Sequence, residues 1–236
     1  MKAVYILPIF ALLSAAAPAA AQIPDGGITF FGEATLLSDY RFRGLSRSQG
    51  DPALQGALTV QTDNGFYVGG RGTTLKGIGD VMVGDFGDAE LDLYVGYGFN
   101  IGLGTSVDAG LLYYYFPDGE GKTDYFEPYA SISHQLGPVQ ATAGAKYAPE
   151  QAALGDQDML YTFGEIEAGI PTTPLTLTAG AGHQDAGAFG DYWNWSLGAR
   201  AALGPLQAGI RYVDTDVPEE VPHADAGVVL SLGVRF

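Results

Sequence analysis

Charged side chains in this chain recur at alternate positions, in pairs separated by one residue. Arg41 and Arg43, Glu90 and Asp92, and Glu165 and Glu167 are such pairs, and Arg71, Asp108, Glu127, Arg200 and Arg211 stand singly with the same parity as their neighbours. On an extended chain this spacing puts them on one face. Opposed carboxylates and guanidiniums on one wall can do two things. They can pair with each other and fill an interior, or they can form a constriction whose transverse field orients polar solutes. Catalysis is a weaker reading. The chain has three histidines, His134, His183 and His223. A Ser–His hydrolase needs a serine within hydrogen-bond reach of the imidazole, and the nearest by strand adjacency, Ser196, lies on the opposite face from His183. With no cysteine and no clustered histidines, no metal or redox centre and no cofactor is expected, and the chain is read as a non-enzyme.

The elements that must position these charges are strands. Alternation of apolar with small or polar residues predicts twelve of them, at 28–43, 53–62, 66–74, 88–99, 101–115, 125–136, 138–148, 159–170, 174–184, 192–203, 205–213 and 225–236. In the fourth, Leu91, Leu93, Val95, Tyr97 and Phe99 share one face and Glu90, Asp92 and Tyr94 the other. In the first, Tyr40 and Phe42 continue the apolar face and Arg41 and Arg43 the polar one. The connections alternate between short turns, such as Asp63-Asn64-Gly65 and Gly204-Pro205, and long loops, near 44–52, 75–87, 116–124, 149–158, 185–191 and 214–224. Outward aromatics gather at both strand ends. Trp193, Trp195, Tyr113 and Tyr212 lie near the long loops, and Phe66, Tyr97 and Phe236 near the short turns. Sorted loops, two aromatic belts and a polar face opposite a greasy one define an all-β, transmembrane, antiparallel up-and-down barrel. The sheet must close, because hydrocarbon offers no partner to an open edge.

The N-terminus fits that assignment. Lys2, an apolar run from Val4 to Leu13 and Ala19-Ala20-Ala21 form a secretory leader over residues 1–21. The barrel then occupies 22–236 as one domain, in a bacterial outer membrane, with lipid, lipopolysaccharide and the barrel-assembly machinery as expected partners. Phe236, an aromatic ending the last amphipathic strand, is the expected assembly signal. A net charge of −16 excludes nucleic acid as a partner.

The segment Ser38-Asp39-Tyr40-Arg41-Phe42-Arg43-Gly44-Leu45-Ser46 is followed by Asp51-Pro52-Ala53-Leu54-Gln55-Gly56, Gly65-Phe66-Tyr67-Val68-Gly69 and Glu90-Leu91-Asp92-Leu93-Tyr94-Val95-Gly96-Tyr97. This order resembles the TorF-type porins of Gram-negative bacteria. The likeness covers residues 33 to 98, and it departs from that pattern at Gly70-Arg71-Gly72-Thr73. It implies an outer-membrane barrel and carries over no substrate and no catalytic residue.

Parity also apportions charge. The inward positions hold Glu33, Asp39, Glu90, Asp92, Asp108, Glu127, Glu165 and Glu167 against Arg41, Arg43, Arg71, Lys146, Arg200, Arg211 and Arg235, close to neutral, while the long loops carry −14, with Arg47 counted among their few bases. An acidic outer mouth concentrates cations within a Debye length, ~8 Å at physiological salt. The expectation is therefore a narrow porin passing small polar solutes, cations or neutral molecules favoured. The alternative is a closed structural or surface-interaction barrel whose acidic loops bind divalent cations. Asp80, Asp85 and Asp88, or Asp214, Asp216, Glu219 and Glu220, would supply the oxygens, without calcium-loop spacing. An outer-membrane hydrolase is the least favoured reading.

Overall fold

The computed structural model describes residues 21–22, 27–76, 84–218 and 221–236. Apart from Ala21, the expected leader lies outside them. Each amphipathic segment forms a strand: β1 Ile28–Leu37, β2 Ala53–Thr62, β3 Phe66–Thr74, β4 Ala89–Gly102, β5 Thr105–Tyr115, β6 Tyr125–Leu136, β7 Val139–Gln151, β8 Gln157–Gly169, β9 Leu175–Asp185, β10 Tyr192–Leu203, β11 Leu206–Thr215 and β12 Gly227–Arg235. Every strand pairs antiparallel with the next, and β12 returns to β1, so the sheet is a closed twelve-stranded barrel.

The closing seam is the shortest ladder between the twelve wall strands, five residue pairs from Ser231–Leu37 to Arg235–Glu33. Phe236 extends it. Its N–H donates to the Gly32 carbonyl at 2.9 Å, and the Gly32 N–H donates to the Phe236 carbonyl at 2.7 Å. The Phe236 ring covers Gly32 so closely that an added Cβ there would meet it at 2.4 Å.

The faces follow the parity read from the sequence. Leu197 is 65% exposed, Leu230 54% and Ile166 52%, on the outside of the wall, where burial in lipid replaces burial in a core. Rim tyrosines of the long-loop side are tethered to carboxylates: Tyr147 donates to Asp158 at 3.1 Å and Tyr212 to Asp214 at 2.7 Å. Amphipathic rings held at a polar rim are what an interface belt requires.

Two junctions differ from expectation by more than three residues. The turn placed at Asn100 falls instead at Leu103-Gly104, both with positive φ (52° and 74°), after a bulge between Asn100 and Gly102. A two-residue hairpin turn needs that backbone hand, and Asn100 itself still pairs with Ser106. The second difference is larger. The first strand ends at Leu37 rather than at residue 43, and the chain then leaves the wall.

Candidate functional site in the barrel lumen

After Ser38, whose N–H donates to the Leu230 carbonyl at 2.9 Å, the chain turns into the bore and makes a small hairpin, Arg41–Phe42 against Leu45–Ser46. Its turn is Arg43-Gly44, again with two positive φ values, 50° and 92°. Gly44 lies so near the opposite wall that a Cβ would come within 2.9 Å of the Asn194 Cβ. Only glycine satisfies both demands.

Polar groups hold this hairpin across the cylinder. Asp39 accepts from Arg41 at 2.5 Å, from Ser46 at 2.5 Å and from Ser48 at 3.0 Å. Arg43 donates to both carboxylate oxygens of Glu127 on β6, at 2.6 and 2.8 Å, and to Gln184 on β9 at 2.6 Å. Its guanidinium also lies 4.4 Å from the Tyr161 ring centre on β8. Arg47 pairs with Glu90 on β4 and lies 3.6 Å from the Phe42 ring centre. Tyr40 donates to the other Glu90 oxygen at 3.0 Å. Arg41 reaches the Asp225 carbonyl, in the loop before β12, at 2.5 Å. Ties to β4, β6, β9 and the last loop span the full cross-section near the long-loop end.

Several expectations are corrected here. Tyr40 and Phe42 do not continue the lipid face. Tyr40 is 3% exposed, and Phe42 packs edge-on against Tyr114 in the lumen, with centroids 5.8 Å apart. Arg41 and Arg43 face inward as expected, but from the hairpin rather than from β1. Arg47, counted with the loops, belongs to the interior. The cause is electrostatic: Glu90 and Glu127 on inward strand positions are almost fully buried, and a buried carboxylate requires a partner. Loop arginines are the groups long enough to supply it. With Arg47 inside, the eight lumen acids meet eight bases.

The remaining site residues pair along the wall. Arg71 on β3 pairs with Asp92 on β4, Arg200 on β10 with Glu167 on β8 at 2.7 Å, and Arg235 on β12 with Glu33 on β1 at 3.3 Å. Asp108 on β5 accepts from Tyr67 at 2.9 and 3.0 Å.

The bore is therefore filled unevenly. On the β3–β6 side Tyr67, Tyr94, Leu112, Tyr114 and Tyr125 form a packed core with the hairpin. Beside this core a cavity of about 160 Å³ remains, reaching from Tyr67, Asp108 and Tyr129 to Lys146, Tyr161, Glu165, Asn194, Ser196 and Arg211, with the hairpin arginines and Arg71 also on its surface.

The other sequence candidates fall outside this site. His183 pairs in register with Trp193, ring centroids 4.7 Å apart, on the outer face. The wall thus separates it from Ser196. Of the acidic loop clusters, Asp80, Glu219 and Glu220 lie outside the described residues. Asp216 accepts from the Trp193 N–H at 2.6 Å, and Asp214 from Tyr212. These carboxylates brace the rim. Among the described residues no group of three metal-ligating side chains is found.

A closed barrel with a greasy skin, sorted loops and an inward-folded loop is the architecture of outer-membrane porins, and solved porins superpose on it. The NanC porin matches with a TM-score of 0.58 at 13% identity, over 88% of this chain and 98% of that one. The KdgM porin, solved in complex with disordered oligogalacturonate, matches with 0.56 at 8%, again over 88% and 98%. The COG4313 outer membrane channel from Pseudomonas putida F1 matches with 0.52 at 12%, over 89% and 94%. At these identities the likeness is one of fold. No curated protein matches the chain in sequence. Residues 21–231 match the family Gcw_chp, described as a bacterial protein of unknown function, and the chain belongs to that family.

Proposed function

We propose that this barrel is a narrow, passive porin of the bacterial outer membrane, of the TorF type that its first half resembles, conducting small polar solutes past the inner hairpin. One observation carries the reading: the hairpin and the aromatic core it joins do not fill the bore, and a cavity walled by polar and charged groups remains beside them. A bundle of side chains serving stability alone has no need of that space. A cation preference rests on the acidic outer loops; inside the bore, the groups presented to the cavity are mostly basic. Export through the 1–21 leader, insertion by the barrel-assembly machinery through Phe236 and contact with lipopolysaccharide at the long-loop rim complete the proposal. No catalytic role is assigned.

The hairpin's many anchors favour a second reading, a closed barrel with a structural or surface role. Planar-bilayer recording of the refolded protein separates them. Steady ohmic steps support the porin. A silent bilayer containing protein shown to be folded supports the closed barrel.

A further inference from the structure

Within the lumen cavity a guanidinium and a carboxyl group lie apart with no hydrogen bond between them. Among the described residues, Arg211 on β11 makes no hydrogen bond and no ion pair, and neither does Glu165 on β8. Both groups line the cavity, yet the two do not meet. Gly180 pairs beside Glu165 and Gly198 beside Arg211, and Ser196 and Thr178 are the next residues along those rows. A Cβ on Gly180 would stand 3.4 Å from the Glu165 Cγ, and one on Gly198 would stand 3.2 Å from the Arg211 Cβ. The glycines thus open a trough beside each group, with the Ser196 and Thr178 hydroxyls between them. Every other lumen arginine has its fork engaged by a carboxylate.

The acids that engage the hairpin arginines and Arg71, namely Asp39, Glu127 and Asp92, do not line the cavity, whereas those arginines do. Lys146, on the cavity surface, adds to the positive side. The cavity wall therefore carries more basic groups than acidic ones, with Asp108 and Glu165 as its acids, although the lumen as a whole is neutral. A planar guanidinium fork engages a carboxylate bidentately. The Ser196 hydroxyl, and Glu165 as an acceptor, suit the hydroxyls of the same molecule.

We infer that the trough between Arg211 and Glu165 is a binding seat for a small hydroxylated carboxylate, its carboxylate on Arg211 and its hydroxyls toward Ser196 and Glu165. The inference rests on the porin reading for its transport role, though not for binding itself. The probes are sodium gluconate, glucose and glucosamine, a carboxylate, a neutral sugar and a cation of similar size. In bilayers, millimolar gluconate is expected to reduce single-channel conductance at least twofold, with glucose and glucosamine inactive. In a tenfold KCl gradient the reversal potential is expected to lean toward anions, and Arg211→Gln to move it toward cations. Glu165→Gln, which keeps the shape and removes the charge, is expected to move it further toward anions. Equal effects of the three probes, or an unmoved reversal potential in both variants, would overturn the seat. If the bilayer is silent, the porin reading fails and calorimetry on the detergent-solubilised barrel decides the seat. Heat with gluconate that Arg211→Gln abolishes supports it, and no heat overturns it. Arg211 holds no partner whose loss would unfold the wall, and unchanged heat-modifiable gel mobility confirms each variant as folded.

Discussion

Arg43 and Glu127 make a two-bonded charge pair deep in the bore, with the Glu127 side chain 2% exposed. Removing one member of such a pair leaves the other charge buried alone, at a cost of about 3–5 kcal/mol. Glu127→Ala is therefore expected to lower the denaturant midpoint clearly, measured by the loss of the barrel's heat-modifiable mobility. Replacing both, Arg43→Met with Glu127→Leu, is expected to recover most of that loss, because the orphaned charge goes too. At this scale the sequence was legible where a residue lies on a strand. Parity alone put Glu90, Asp92, Asp108, Glu127, Glu165, Glu167, Arg200 and Arg211 inside. It was not legible for Arg47, whose course is decided by carboxylates more than 40 positions away. Nor did it mark Arg43 as a positive-φ turn residue, since arginine has no preference for that backbone hand.

The inner hairpin is one element with its own predictions. The wall's ladders do not run through it, so replacing residues 39–48 by a short Gly-Ser linker is expected to leave a folded barrel, less stable because Glu90 and Glu127 lose their arginines, with conductance raised severalfold. Unchanged conductance in a folded variant would show that the hairpin is not the constriction. Gly44→Val, strained in backbone and in contact with Asn194, is expected to disturb the hairpin and give noisier, larger steps. The seam is the other element of interest. Its five pairs are closed by Gly32 and Phe236, so Gly32→Val, which would drive a side chain into the Phe236 ring, is expected to slow barrel assembly in a refolding time course. Strands were legible because period two survives along their whole length. The end of β1 was not, because Arg41 and Arg43 keep the same spacing in the hairpin as they would in a continued strand.

For the whole molecule, the apolar skin and the polar lining are a single commitment. An arginine placed near the middle of the skin, as in Leu197→Arg, is expected to cost about 2–4 kcal/mol in folding measured into lipid vesicles. The same change at an inward position such as Ser196 is expected to cost far less. Loop sorting and face parity made the cylinder readable without coordinates, whereas what occupies its middle depends on contacts between distant parts of the chain. One of those contacts has a kinetic corollary. The hairpin lies between the first two strands, yet its anchors lie as far along as Glu127, Gln184 and Asp225. Contacts of such separation form late, so the segment made among the earliest must wait, unsatisfied, for nearly the entire polypeptide to arrive. Any chaperone that escorts this chain to the membrane has to shield a stretch of arginines and aromatics that has nothing yet to bind.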